Sequence, residues 1–249
     1  LRVNPELSFV ADNRYDPCRA FSKLGVPLSQ LSEQLPRGIE GLHFHTLFGS
    51  HSFQPLQQTM AKIEAQFNAS LLSLKWINLG GGYLFNSEKQ IAPLIDLVAQ
   101  LKRQYELDVF IEPGNAVVGA AGFLVATVID CFLREGKTVA VLDTSVNHNP
   151  EVFEYQRKPL LIEEVLTGED SAILVGCTCL AGDVFGEYRF NKPINVGDRV
   201  TFSHVGAYSL IKSNRFNGYN FPDIYTFDDS TVRKIKTYDY GHYREQWLT

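Results

Sequence analysis

The feature that most constrains this chain is an alternation in its first half. Short apolar runs, each ending in glycine or polar residues, take turns with segments of helical period. The runs are GLHFHTLF (Gly41 to Phe48), LKWINLGGG (Leu74 to Gly82) and DVFIEPG (Asp108 to Gly114). Between the first two lies PLQQTMAKIEAQF, whose spacing puts Leu56, Met60, Ile63 and Phe67 on one helix face. Between the second and third lies IAPLIDLVAQLKRQYEL (Ile91 to Leu107), an amphipathic helix pattern. Near-continuous apolar strands that each feed a helix predict a parallel sheet covered by helices. In such sheets function gathers at the C-terminal ends of the strands. The polar residues fall there: His45, then Gly80, Gly81 and Gly82, then Glu112 and Gly114.

The pattern changes near Gly122. GFLVATVIDCFL, TVAVLDTSV, AILVGCTCLAGD, GDRVTFSHVGAYSL and PDIYTFD are strand-like runs punctuated by Gly, Pro and Asp. The expected class is α/β followed by β: part of an α/β barrel or open sheet over residues 1–121, then a mainly antiparallel β domain over 122–249. With 249 residues, 45% of them hydrophobic, the chain can bury a core in one or two domains. A net charge of −5 with no basic run argues against a nucleic-acid surface. No apolar stretch reaches the ~18 residues of a membrane span. The opening LRVN has no signal-peptide pattern. Four cysteines, Cys18, Cys131, Cys177 and Cys179, are too sparse for a disulfide framework and point to a reducing, cytoplasmic setting.

Each constellation has two readings. Three glycines after a strand let backbone N–H groups approach a phosphate, or they make a tight turn; neither GxGxxG nor GK[ST] is present. Glu112 at a strand end either holds a protonated ring nitrogen or caps a helix or pairs with Arg. His43 and His45 share a face of their strand and suit ring stacking or metal ligation, although no third ligand stands out; for His43 a buried, hydrogen-bonded ring is favoured. CxC is a poor zinc spacing, so Cys177 reads as core, and Cys179 as a proton donor, nucleophile or core residue. Tyr208, in a Gly-Ala-Tyr turn, could donate to a phosphate; the competing reading is a plain hairpin on Asn217-Gly218.

Taken in order, HFH, GGG, EPG, TCLAGD, GAYS and RFNGYN resemble the fold-type III pyridoxal-phosphate decarboxylases, the family of ornithine and diaminopimelate decarboxylases. CTCLAGDVFGEY, LDTS, LRVNPELSF and FSKLGV are most similar to its carboxynorspermidine branch. The resemblance spans essentially the whole chain. It implies a pyridoxal 5'-phosphate enzyme, a carboxy-lyase of polyamine biosynthesis acting on carboxynorspermidine or carboxyspermidine. The fold it implies is the C-terminal half of a (β/α)8 barrel plus a β domain. His45 would stack on the pyridine ring. Gly80, Gly81, Gly82, Gly114 and Tyr208 would bind the phosphate, and Glu112 would face the ring nitrogen. Cys179 would protonate the carbanion across a homodimer interface. Asp143 would bind a distal amine of the substrate, with Glu187 or Asp223 as further candidates. Asp183 would also serve the substrate side and pair with Lys23 of the other protomer.

Three departures qualify the resemblance. The lysine that tethers the cofactor lies on the first barrel strand in this family, and Lys75, Lys89 and Lys102 lack its motif; the strands here match the fifth to eighth, so an upstream portion is expected. Asn115 and Phe48-Gly49 stand where related enzymes carry other residues, acids among them. A decarboxylase of diaminopimelate, ornithine or arginine, and a non-catalytic homologue without the lysine, are the competing expectations. A racemase of the same fold is disfavoured by the TCLAGD string.

Overall fold

The computed structural model describes residues 1–85, 87–228 and 230–248. It divides into two compact units, Leu1–Val117 and Val118–Thr249.

The first unit opens with β1 (Val3–Asn4), which pairs in parallel with β2 (Val26–Pro27). Then come β3 (Gly41–His43), α1 (Gln54–Leu71), β4 (Trp76–Asn78), α2 (Glu88–Tyr105), β5 (Asp108–Phe110) and the short α3 (Asn115–Val118). β3, β4 and β5 form a parallel sheet in that order, with His43, Asn78 and Phe110 in register. The start of the chain adds a further parallel lane, since Leu1 hydrogen-bonds with Gly41 and His43 and Arg2 bridges His43. The expected strand–helix alternation is therefore present.

Strand residues of alternate parity divide the two faces. Leu42, Phe44, Ile77 and Leu79 are fully buried in one core with Leu56, Met60, Ile63, Phe67 and Leu71 of α1 and Leu94, Leu97 and Leu101 of α2. Each such side chain contributes about 1.5–3 kcal/mol by leaving water. The opposite face of the strands carries His43, Trp76 and Asn78. α2 begins three residues before the expected Ile91, because Ser87 accepts from the Gln90 N–H and Glu88 favours the first turn.

The second unit contains β6 (Phe123–Arg134), β7 (Lys137–Leu142), α4 (Glu151–Tyr155), β8 (Asp170–Val175), β9 (Val184–Phe190), β10 (Arg199–Ser203), α5 (Ser209–Lys212), β11 (Ile224–Asp228), β12 (Thr231–Lys236) and α6 (Tyr240–Arg244). Five strands form one sheet in the order β10-β6-β7-β8-β9, antiparallel except for the β7–β8 pair. Glu135 and Gly136, both at positive φ, make the two-residue turn between β6 and β7. Phe185 stacks on Phe202 at 4.5 Å in this unit's own core. β11 and β12 form a separate antiparallel ribbon whose residues are mostly exposed.

Two expectations fail here. The run GDRVTFSHVGAYSL is not a continuous strand: β10 stops at Ser203, His204 turns to φ 60°, and the Gly-Ala-Tyr segment leads into α5. Asn217-Gly218 is not a hairpin turn; it lies in a 3-10 turn at φ 55° and 82° with no strand on either side, and the ribbon forms downstream.

Candidate functional site

In the first unit the strand ends meet as expected, but the glycines do something the sequence did not reveal. A side chain on Gly80 would meet the Phe44 carbonyl at 2.4 Å, one on Gly81 the Glu112 carbonyl at 2.1 Å, and one on Gly82 the Leu47 carbonyl at 2.2 Å. The three residues are wedged between the backbones of neighbouring strand ends. Gly80 and Gly82 also sit at φ 68° and 84°. Two of their N–H groups are already used: Gly80 donates to Asn78 Oδ1 at 2.9 Å and Gly81 to His45 Nδ1 at 3.1 Å. Among the described residues the N–H groups of Gly82, in this loop, and of Gly114, after β5, meet no acceptor.

The bond from Gly81 also fixes the chemistry of His45. An Nδ1 that accepts a hydrogen bond is unprotonated, so a neutral ring carries its proton on Nε2. Burial acts in the same direction and, with Arg2, lowers the affinity of this imidazole for a second proton. His43 is likewise held toward neutrality, by burial first, with Glu112 opposing. Its Nε2 is buried and lies 3.7 Å from Glu112 Oε1, beyond hydrogen-bond reach, so the favoured picture of a hydrogen-bonded His43 does not hold for that nitrogen.

Glu112 follows β5, and its backbone N–H donates to the Gly80 carbonyl at 2.8 Å. Its side chain is half-exposed, with Oε1 accepting from Asn78 Nδ2 at 2.9 Å. Oε2 meets no donor among the described residues. Among the described residues neither an Arg nor a capped helix end occupies the carboxylate. Gly114 opens the turn into α3, where its carbonyl accepts from Val117.

The second unit brings a different set together. Cys179 is exposed in the loop after β8, and its Sγ accepts from Asn217 Nδ2 at 2.9 Å. Tyr219 donates its hydroxyl to the Cys177 carbonyl at 2.8 Å. RFNGYN thus holds CTCLAGD, a pairing that no local pattern announced. Burial, then Asp183, raises the Cys177 thiol. Asp183 is only 3% exposed. Its Oδ1 accepts from the Val146 N–H at 2.8 Å, and its Oδ2 from the N–H and hydroxyl of Thr178. Those bonds tie the Asp183 carboxylate to the loop that carries Cys179. Asp143 is exposed, with Oδ1 taking the Thr127 N–H at 2.7 Å. Tyr208 precedes α5 with its ring half-exposed and Lys212 Nζ 5.4 Å from the ring centre. Glu187 pairs with Lys137, and Asp223 with Lys234. Among the described residues no group of three His, Cys, Asp or Glu could hold a metal ion, and no helix is long and apolar enough to cross a membrane.

The family model described as pyridoxal-dependent decarboxylase, C-terminal sheet domain, matches residues 9–206. The chain belongs to the pyridoxal-dependent decarboxylases. Among members of that family, it is 35% identical to the carboxyaminopropylagmatine decarboxylase of Synechocystis, over 99% of this chain and 65% of that protein. It is 33% identical to the carboxynorspermidine/carboxyspermidine decarboxylase of Campylobacter jejuni, over 98% of this chain and 67% of that protein. The crystal structure of the carboxynorspermidine decarboxylase from Campylobacter jejuni, complexed with norspermidine, superposes with a TM-score of 0.87 at 30% identity, over 99% of this chain and 68% of that one. The chain thus spans about two thirds of the length of these relatives. A diaminopimelate decarboxylase at 19% identity and a TM-score of 0.80 shares the fold. The first unit is a portion of the decarboxylase barrel, and the second is the β domain that follows it.

The residues fit the family's coenzyme. Glu112 offers an open carboxylate oxygen to a protonated ring nitrogen. His45 offers a neutral aromatic face, and Gly82 and Gly114 offer free N–H donors to an anion.

Proposed function

We propose that the protein is the decarboxylase of a carboxylated polyamine, working with pyridoxal 5'-phosphate as a cytoplasmic homodimer. The observation that carries this reading is the match, over nearly the whole chain, to relatives named for carboxynorspermidine, carboxyspermidine and carboxyaminopropylagmatine. Residues 1–121 form the coenzyme-binding part and 122–249 the β domain that completes the active site of the dimer.

When bound, the coenzyme supplies a pyridinium ring that takes up the electron pair left as CO2 departs. Glu112, through Oε2, keeps the proton on the ring nitrogen. His45 packs its neutral imidazole on the ring face, where a second proton would repel the pyridinium. Gly82, Gly114 and the Tyr208 hydroxyl donate to the phosphate. The Cys179 thiol delivers the proton that replaces the carboxylate on carbon. Asp143, exposed and anionic, takes a distal ammonium of the substrate. Lys23 lies on the dimer interface. Asp183 supports the cysteine loop from within.

The complete reading frame, expressed with the coenzyme, tests the assignment by CO2 release. Carboxynorspermidine, carboxyspermidine and carboxyaminopropylagmatine are set against diaminopimelate, ornithine and arginine. The highest kcat/KM is expected within the first group. Release confined to the second group overturns the substrate class, and release from none overturns the decarboxylase reading.

A further inference from the structure

One side chain touches both halves of the first unit's site. Asn78 closes β4, on the strand face opposite Ile77 and Leu79, which are fully buried. Its Oδ1 accepts from the Gly80 N–H at 2.9 Å, and its Nδ2 donates to Glu112 Oε1 at 2.9 Å. The orientation of the amide follows from its partners. A backbone N–H can only donate, so Oδ1 must face Gly80, and the amide nitrogen is left for the carboxylate. The first contact is an Asx turn that sets the path of the glycine segment. The second occupies Oε1 and leaves Oε2 as the oxygen open to a ligand. His43, level with Asn78 on β3, comes only to 3.7 Å of the same Oε1, and Arg2 acts on His43 and His45 without bonding the carboxylate.

We infer that Asn78 is a positioning residue: its single amide fixes both the orientation of Glu112 and the start of the glycine turn that carries Gly82. The inference rests on the proposed coenzyme site for its functional half and on geometry alone for the turn. It goes beyond the glycine, glutamate and histidine motifs, because the signal is one polar residue in an apolar strand, two positions before Gly80.

Two variants separate the two contacts. Asn78→Asp keeps an acceptor for Gly80 but puts an anionic oxygen against Glu112 Oε1. Asn78→Leu removes both bonds. In the coenzyme-free full-length protein, amide hydrogen exchange at Gly80 should stay near wild type in Asn78→Asp and accelerate about tenfold or more in Asn78→Leu. In the loaded enzyme, Asn78→Asp should keep coenzyme affinity within about threefold and lose about tenfold or more in kcat with little change in KM. It should also shift the pH profile of the bound coenzyme's absorption. Asn78→Leu should lose affinity and turnover together. Wild-type Gly80 exchange in Asn78→Leu overturns the turn assignment. A wild-type kcat and absorption profile in Asn78→Asp overturns the Glu112 assignment. Failure of the full-length protein to bind the coenzyme would strike the functional reading instead, while the exchange measurement still decides the turn.

Discussion

The two units fix their functional loops by opposite means. In the first, Gly80, Gly81 and Gly82 hold position because they lack side chains: carbonyls of Phe44, Glu112 and Leu47 fill the space a Cβ would need. In the second, the loop from Gly176 to Asp183 is held by a side chain that is present and charged. Asp183 gathers donors from Val146 and Thr178, and only a glycine at 176 tolerates it, since a Cβ there would lie 2.2 Å from Oδ1. The first device is steric, and the second electrostatic. A steric lock fails when an atom is added, whereas a charged one fails when an atom is exchanged.

Breaking the steric lock should have the largest effect. Gly81→Ala places a methyl against a carbonyl that belongs to the backbone and cannot swing aside, so a loss of about 4 kcal/mol or more is expected. Urea unfolding followed by circular dichroism checks it; a loss below about 1 kcal/mol would mean the strand ends yield easily. Glu112→Gln adds no atom and leaves the lock intact. Turnover should fall about 10²- to 10³-fold while coenzyme still binds, and unchanged turnover would remove the electronic role from Glu112. Asp183→Asn tests the charged lock: an amide cannot accept from all three donors, and about 2–3 kcal/mol should be lost. Faster alkylation of Cys179 by iodoacetamide should accompany that loss, because the loop loosens. Asn217→Gly, smaller still, keeps a residue suited to φ 55° but removes the donor to Cys179. It should cost about 1 kcal/mol or less and change the rate of Cys179 alkylation, as Sγ loses the donor it contacts. A rate equal to wild type would show that the contact does not reach the thiol's chemistry.

Acid should also distinguish the units. His43 and His45 in the first unit and His148 in the second are all held toward the neutral form by burial. A histidine whose affinity for a proton is lower in the fold than in the unfolded chain stabilises above its ordinary pKa near 6.5 and loses that contribution as pH falls. Protonating His45 on Nδ1 also breaks its bond to Gly81. Hydrogen exchange between pH 7 and 5, corrected for intrinsic rates, should show protection falling more in β3 and β4 than in β7 and β8. Equal losses would mean the Gly81 bond adds nothing to the linkage.

What was legible in the sequence followed from periodicity and from position along strands. The faces of α1 and α2, the parallel order of β3, β4 and β5, and the gathering of His45, Gly80 to Gly82 and Glu112 at strand ends all rest on local pattern. What was not legible depends on pairs distant in the chain. Nothing near Gly81 in sequence shows that its N–H will be taken by His45, thirty-six positions away. Asp183 was given its roles by resemblance alone, and no local pattern announced its burial or its partners at Val146 and Thr178. Asn78 and Tyr219 went unnoticed, and Asn217 read only as a hairpin turn, because each acts through a single hydrogen bond to another segment. The stretch after Ser203 read as strand on β-prone residues, and the positive φ of His204 overrode that propensity.

The crowding at the glycine turn also bears on how such a site can diverge. A turn in which every added carbon strikes backbone closes that route to new specificity. Elsewhere in the first unit there is room: a side chain on Gly49 would meet only Leu84 Cδ1, at 3.8 Å, and Asn115 is exposed. Gly49 sits at φ 63°, a conformation that asks about 1–2 kcal/mol of any other residue, a cost that a stable fold can absorb. Inherited change can therefore accumulate at Gly49 and Asn115, while the glycine turn stays as it was built.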